Sequence, residues 1–170
     1  MRDSTILVGL SIAAILVGGY LIFYSQTTTS ASATATNESV VTQVPFMKLA
    51  DGQHAKIPQR VNYMLENKSQ LDSLWRSVGA SSTEPTVDFE ANNVLAIFAG
   101  AEPNAGYGVA VSGIEDKSGV RTVNILFQRP GTGCAPAQEV THPFEFVAVP
   151  KSSGQIQLTH IYATSTVSCQ

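Results

Sequence analysis

Residues 94–130 read VLAIFAGAEPNAGYGVAVSGIEDKSGVRTVNILFQRP, and the period of that stretch decides the fold. Val94 to Ala99 is a short apolar run stopped by Gly100, while Tyr107 to Ile114 and Val120 to Gln128 are apolar or alternating. Such runs between turn residues are strands, because alternate side chains of an extended chain share one face. Glu115-Asp116-Lys117-Ser118-Gly119 is a hairpin connection and makes its two flanking strands antiparallel neighbours. Pro143 to Val149 and Gln155 to Tyr162 continue the pattern, with Lys151-Ser152-Ser153-Gly154 read as a second hairpin connection.

Upstream, Val44 to Leu49 and Lys56 to Glu66 alternate around Asp51-Gly52, which predicts an opening hairpin. The period then changes: Leu71, Leu74, Trp75 and Val78 fall at i, i+3, i+4 and i+7, the spacing of one buried helix face. Asn67 is placed as its N-cap, Gln70 follows three residues later, and Gly79 permits the left-handed turn that ends it. Trp75 lies on the apolar stripe and is assigned to the core, not to a ligand platform. The expected fold class is mainly β (α+β): an antiparallel sheet or sandwich-like domain with one packed helix.

The first residues obey different rules. Thr5 to Tyr24 runs without a charge, and at about 1.5 Å per helical residue it is long enough for the roughly 30 Å hydrocarbon layer of a bilayer. Arg2 precedes it and no charge follows until Glu38, so residues 1–4 are expected in the cytoplasm and the rest outside. The span exceeds the apolar core of about 7 to 15 residues usual in a cleaved leader, which favours a retained signal anchor at residues 5–24; the alternative is secretion after cleavage. Ser25 to Thr36 contains only Ser, Thr, Ala and one Gln, nothing able to bury against a core. Residues 25–42 are read as a flexible linker and 43–170 as the folded extracytoplasmic domain, a common size for one core.

Charged residues are 14% of the chain and the net charge is −3, with no block of one sign. The field that draws proteins onto nucleic acid is therefore missing, and that class of partner is excluded. Cys134 and Cys169 are the only cysteines, without the Cys-x-x-Cys spacing of metal or redox motifs. Outside the cytoplasm a structural disulfide between them is the leading reading.

Several short motifs in a fixed order resemble the PrcB C-terminal domain family. They are Val87-Asp88-Phe89, Val94 to Gly100, Pro103-Asn104-Ala105-Gly106-Tyr107, Gln128-Arg129-Pro130 and Thr141-His142-Pro143-Phe144, preceded by a helix with Leu71, Leu74 and Trp75. The resemblance covers roughly Val61 to Lys151 and implies a non-catalytic accessory domain, since the family is named for a lipoprotein subunit of a surface protease complex. This chain departs from that subunit in having no lipobox cysteine after its apolar segment. A fainter likeness links the Pro-x-x-Gly-Tyr turn and Arg129-Pro130 to chagasin-type inhibitors of papain-like proteases, although Val109 and Gly131 stand where that family has tryptophan.

Read from the residues alone, the Glu102 to Gly108 loop is turn chemistry, with Pro fixing φ and glycines opening conformations closed to other residues. Two readings stay open: a structural corner, or one end of a binding surface formed with Arg129 to Pro136, whose candidate contact residues are Pro103, Asn104, Gly106, Tyr107, Arg129 and Pro130. Gly131-Thr132-Gly133 is followed by Cys134-Ala135-Pro136 and not by a helix and lysine, so it is not read as a phosphate loop. His54, His142 and His160 are far apart in sequence, and no nucleophile elbow occurs. No catalytic, metal or cofactor residue is assigned. The expected function is a membrane-anchored, extracytoplasmic, non-catalytic interaction domain with a protein partner, an accessory or assembly subunit of a secreted or surface protease complex; the alternatives are a chagasin-like inhibitor and an envelope ligand-binding module.

Overall fold

The computed structural model describes residues 40–79 and 83–168. Their elements follow in the order β1 (Thr42–Gln43), β2 (Met47–Gly52), β3 (Val61–Leu65), α1 (Lys68–Val78), β4 (Asn92–Phe98), β5 (Gly108–Lys117), β6 (Val120–Pro130), β7 (Phe144–Pro150) and β8 (Gln157–Val167). The strands form two four-stranded sheets, ordered β1-β5-β6-β8 and β2-β7-β4-β3.

The placement of β4 and β7 follows from their composition. Both are apolar on both faces, so both must be covered on both sides. On one face Leu95, Ile97, Val147 and Val149 meet Val111, Ile114, Val123, Ile125 and Phe127 of the other sheet. On the opposite face Val94, Ala96, Phe98, Phe144 and Phe146 meet Leu71, Trp75 and Val78 of α1. The result is three layers: sheet, sheet, helix. Trp75 stands edge-on to Phe146 at 5.3 Å, inside the core as its stripe position predicts.

The helix ends are as expected from the sequence. Asn67 Oδ1 accepts the Gln70 N–H at 3.0 Å, and Gly79 takes φ 69°. Gln70 Oε1 in turn accepts the N–H of Glu66 at 2.7 Å, one residue before the N-cap. Between β5 and β6, Ser118 and Gly119 both have positive φ, 51° and 78°, and Lys117 faces Val120. Positive φ at both central residues is what lets a two-residue turn follow the twist of its strands.

Two sequence expectations are corrected. The predicted opening hairpin does not form: β2 pairs with β7 and β3 pairs with β4, all antiparallel. Asp51-Gly52 lies at the end of β2 instead of in a turn. A Cβ on Gly52 would come within 2.7 Å of the Phe144 ring, so close packing against that ring, and not chain reversal, accounts for the glycine. Nor is Lys151 to Gly154 a hairpin connection. It carries the chain across to the other sheet, where β8 runs parallel to β6. β1 starts at Thr42, paired with Asp116, and residues 25–39 of the expected linker lie outside the described residues. The expected transmembrane span at residues 5–24 lies outside the described residues, and no described helix is long and apolar enough to cross a membrane.

Candidate interaction surface

The sandwich brings three loops to one end, the end from which β5 starts and at which β6 finishes. In the first loop Asn104 Oδ1 accepts the Gly106 N–H at 3.0 Å, a side-chain turn that fixes the Pro-x-x-Gly-Tyr segment. In the second, Pro130 packs on the first: a Cβ at Gly106 would lie 2.8 Å from the Pro130 Cβ. That second loop, residues 131–143 between β6 and β7, folds back on the first, and residues 53–60 before β3 form the third, whose Pro58 carbonyl accepts the Ala101 N–H at 3.0 Å. Ala105 N–H donates to the Ala137 carbonyl at 3.2 Å, and Glu102 and Thr141 exchange backbone bonds at 2.8 and 2.9 Å. Fully buried Thr141 donates its hydroxyl to the Asn104 carbonyl at 3.0 Å.

Of the six candidate residues, Asn104, Gly106 and Pro130 are thus tied into one corner. Pro103 and Arg129 are exposed, and Tyr107 is half-buried. Polar bonds hold the loops in place, and Pro103 and Arg129 are the candidate residues left exposed to solvent.

Arg60 belongs to this end although the sequence did not single it out. Its guanidinium lies 4.0 Å above the Phe127 ring, its Nε donates to the Ala99 carbonyl at 3.2 Å, and Nη2 is 3.8 Å from Glu102. No spacing rule marks a lone arginine before a strand, so only the fold reveals it.

Two charged groups are buried within the sandwich. Arg121 grips Asp116 through two bonds of 2.8 Å and donates a third, also 2.8 Å, to the Pro150 carbonyl. It pins the β5–β6 hairpin to the end of β7. Glu145, between the sheets, accepts the Val111 N–H where the β5 register shifts. Burial pushes its carboxyl above the usual carboxylate range, against the opposing pull of the Val111 amide and Lys48. Burial likewise holds His160 below the usual histidine range.

His54 and His142 meet in a parallel bridge, His142 N–H donating to the Gln53 carbonyl at 2.7 Å. Among the described residues no three His, Cys, Asp or Glu side chains gather in a metal-holding group. An open groove of about 500 Å³ runs between β3 and α1, lined by Tyr63, Leu65, Ser69, Ser73 and Leu74. It carries no titratable cluster and does not adjoin the three loops. Cys134 Sγ lies 3.8 Å from the Val167 carbonyl; the expected partner Cys169 is outside the described residues.

The class this defines is a mainly β, two-sheet domain with one covering helix and a fixed cluster of loops at one end. Residues 93–150 match the family described as PrcB C-terminal, in line with the resemblance carried by the motifs from Val94 to Phe144. The match takes in nearly all of β4, the loop before β5, β5, β6, the loop between β6 and β7, and β7. No curated protein and no solved structure gives a match.

Proposed function

We propose that the chain is a membrane-tethered, extracytoplasmic, non-catalytic subunit that docks a secreted or surface protease through the loop end bearing Pro103 and Arg129. The observation that carries this reading is the match of residues 93–150 to the PrcB C-terminal family, whose name is that of a protease-complex subunit. The matched segment contains the two loops that bear the candidate residues, so the part held in common with the family is the part that presents Pro103, Tyr107 and Arg129.

The export side of the proposal rests on the uncharged span at residues 5–24 and on the cysteines. Gly131 N–H donates to the Val167 carbonyl at 3.0 Å, which brings the Cys134 turn beside the end of β8, close in sequence to Cys169. A Cys134–Cys169 disulfide would close that end in an oxidising compartment. It would restrain a loop of roughly 35 residues and add about 3 to 4 kcal/mol in the chain-entropy view.

The test is recovery of partners from solubilised membranes with the tagged chain and its Arg129→Glu variant. A protease recovered with the parent and depleted with the variant supports the proposal. Repeated recovery without any protease contradicts it. Loss of papain-like protease activity on adding the chain would instead favour the inhibitor.

A further inference from the structure

β8 is the outermost strand of its sheet, and β6 holds one of its edges from Gln157 to Val167 with no shift of register. Two bonds show which residues turn their backbone toward β6. The Gln157 N–H donates to the Gly119 carbonyl, and the Val167 carbonyl accepts from Gly131. In a parallel ladder, alternate residues direct both N–H and C=O to the same neighbour. The odd-numbered residues of β8 therefore serve β6. Leu158, His160, Tyr162, Thr164 and Thr166 turn their N–H and C=O groups the other way, and among the described residues no strand lies there.

Exposed edges of this length are ordinarily blunted by a charge, a proline or a bulge. The sequence of β8, QLTHIYATSTV, contains no Lys, Arg, Asp, Glu, Pro or Gly, and its register is unbroken. Ile161, Tyr162 and Val167 are exposed on it. So is Tyr63 on β3, which edges the other sheet and whose neighbour Asn62 donates to the Tyr162 hydroxyl at 2.9 Å.

We propose that a second copy of this chain adds its own β8 to this edge, antiparallel, about a two-fold axis at Tyr162. The strand is its own complement. With the axis there, outward-facing residues meet only one another: Leu158 opposite Thr166, His160 opposite Thr164, and Tyr162 opposite itself. Every N–H and C=O left over from β6 then finds a partner. On the outer face Gln157, Thr159 and Ile161 stand opposite Val167, Ser165 and Ala163, so no like charges oppose. A charged foreign strand would find no counter-charge on β8, whereas an identical strand needs none. The joint is isologous, and because it buries little beyond one edge it is concentration-dependent.

The experiment is amide hydrogen exchange on the full chain in mild detergent over a range of concentrations, together with light-scattering mass. Odd-numbered amides of β8 are protected at every concentration by β6. The even-numbered amides of Leu158, His160, Tyr162, Thr164 and Thr166 are expected to slow by about tenfold or more as the chain dimerises. Thr164→Pro removes one outward donor and no bond to β6, so it is expected to abolish the dimer and leave the fold; Thr164→Lys tests the same edge by giving it the blunting charge it otherwise lacks. Even-numbered amides that stay fast while the mass stays monomeric overturn the proposal. So does a dimer that survives both substitutions, or a β8 edge protected only when a different protein is added.

Discussion

Replacing Arg121 by alanine perturbs the sandwich at the place where its two sheets are pinned. The Arg121 side chain is 7% exposed and the Asp116 side chain 28%. Its guanidinium makes three bonds of 2.8 Å, two to Asp116 on β5 and one to the Pro150 carbonyl at the end of β7. Removing one member of a buried pair costs about 3 to 5 kcal/mol, because the partner is left charged and unpaired. Water can reach Asp116 in part, which places the expected loss near the lower bound, about 3 kcal/mol. Asp116→Asn keeps one acceptor but leaves the more deeply buried Arg121 without its counter-charge, so its expected cost is comparable, about 3 kcal/mol. In the double variant the two losses should not add, since both remove the same bonds. The assay is urea unfolding of the parent, both single variants and the double variant. A loss below about 1 kcal/mol for Arg121→Ala, or strict additivity in the double variant, would refute the argument.

Four further outcomes follow from the same structure. Trp75→Ala empties the contact between α1 and Phe146 and is expected to cost about 3 to 5 kcal/mol in unfolding free energy. Gly106→Ala drives a Cβ into Pro130, with an expected cost of about 1 to 3 kcal/mol and weaker protease capture than the parent. Ser118→Asn places a residue tolerant of positive φ before Gly119 and should stabilise the hairpin by a few tenths of a kcal/mol, up to about 1, read from the denaturation midpoint. Glu145 has a folded pKa raised by burial, so the folded state binds its proton more tightly than the unfolded chain does. Its contribution is complete below the ordinary carboxylate range and is lost as pH rises through the raised value. The parent should lose stability there with a slope of at most about 1.4 kcal/mol per pH unit, a slope absent in Glu145→Gln.

Much of this fold is legible where local chemistry decides it. The spacing of Leu71, Leu74, Trp75 and Val78 gives the helix, Asn67 and Gly79 give its ends, and Glu115 to Gly119 gives a hairpin connection, which the backbone narrows to Ser118-Gly119 because pairing runs on to Lys117. Pairing partners are less legible, because alternation assigns a strand its faces and not its neighbours. That is why β2 and β3, adjacent in sequence, pair with β7 and β4 instead. It is also why the crossing of β8 to the other sheet left no mark in Lys151 to Gly154. The buried charges had a readable signal: Arg121 is in phase with Val123, Ile125 and Phe127, and Glu145 with Val147 and Val149. A charge on the apolar phase must be paired or bonded where it is buried. The loop end was read residue by residue, yet Arg60 joins it only through tertiary contacts with Phe127 and Glu102.

The most direct test of the docking account is photo-crosslinking in intact cells, with the crosslinker placed in turn at Pro103, Arg129 and Lys117. The first two lie at the loop end, and Lys117 lies beside the hairpin turn at the far end of β5 and β6. The account predicts adducts with a secreted or surface protease from Pro103 and Arg129 and none from Lys117. Adducts with no protease, or with one captured from Lys117 alone, would contradict it.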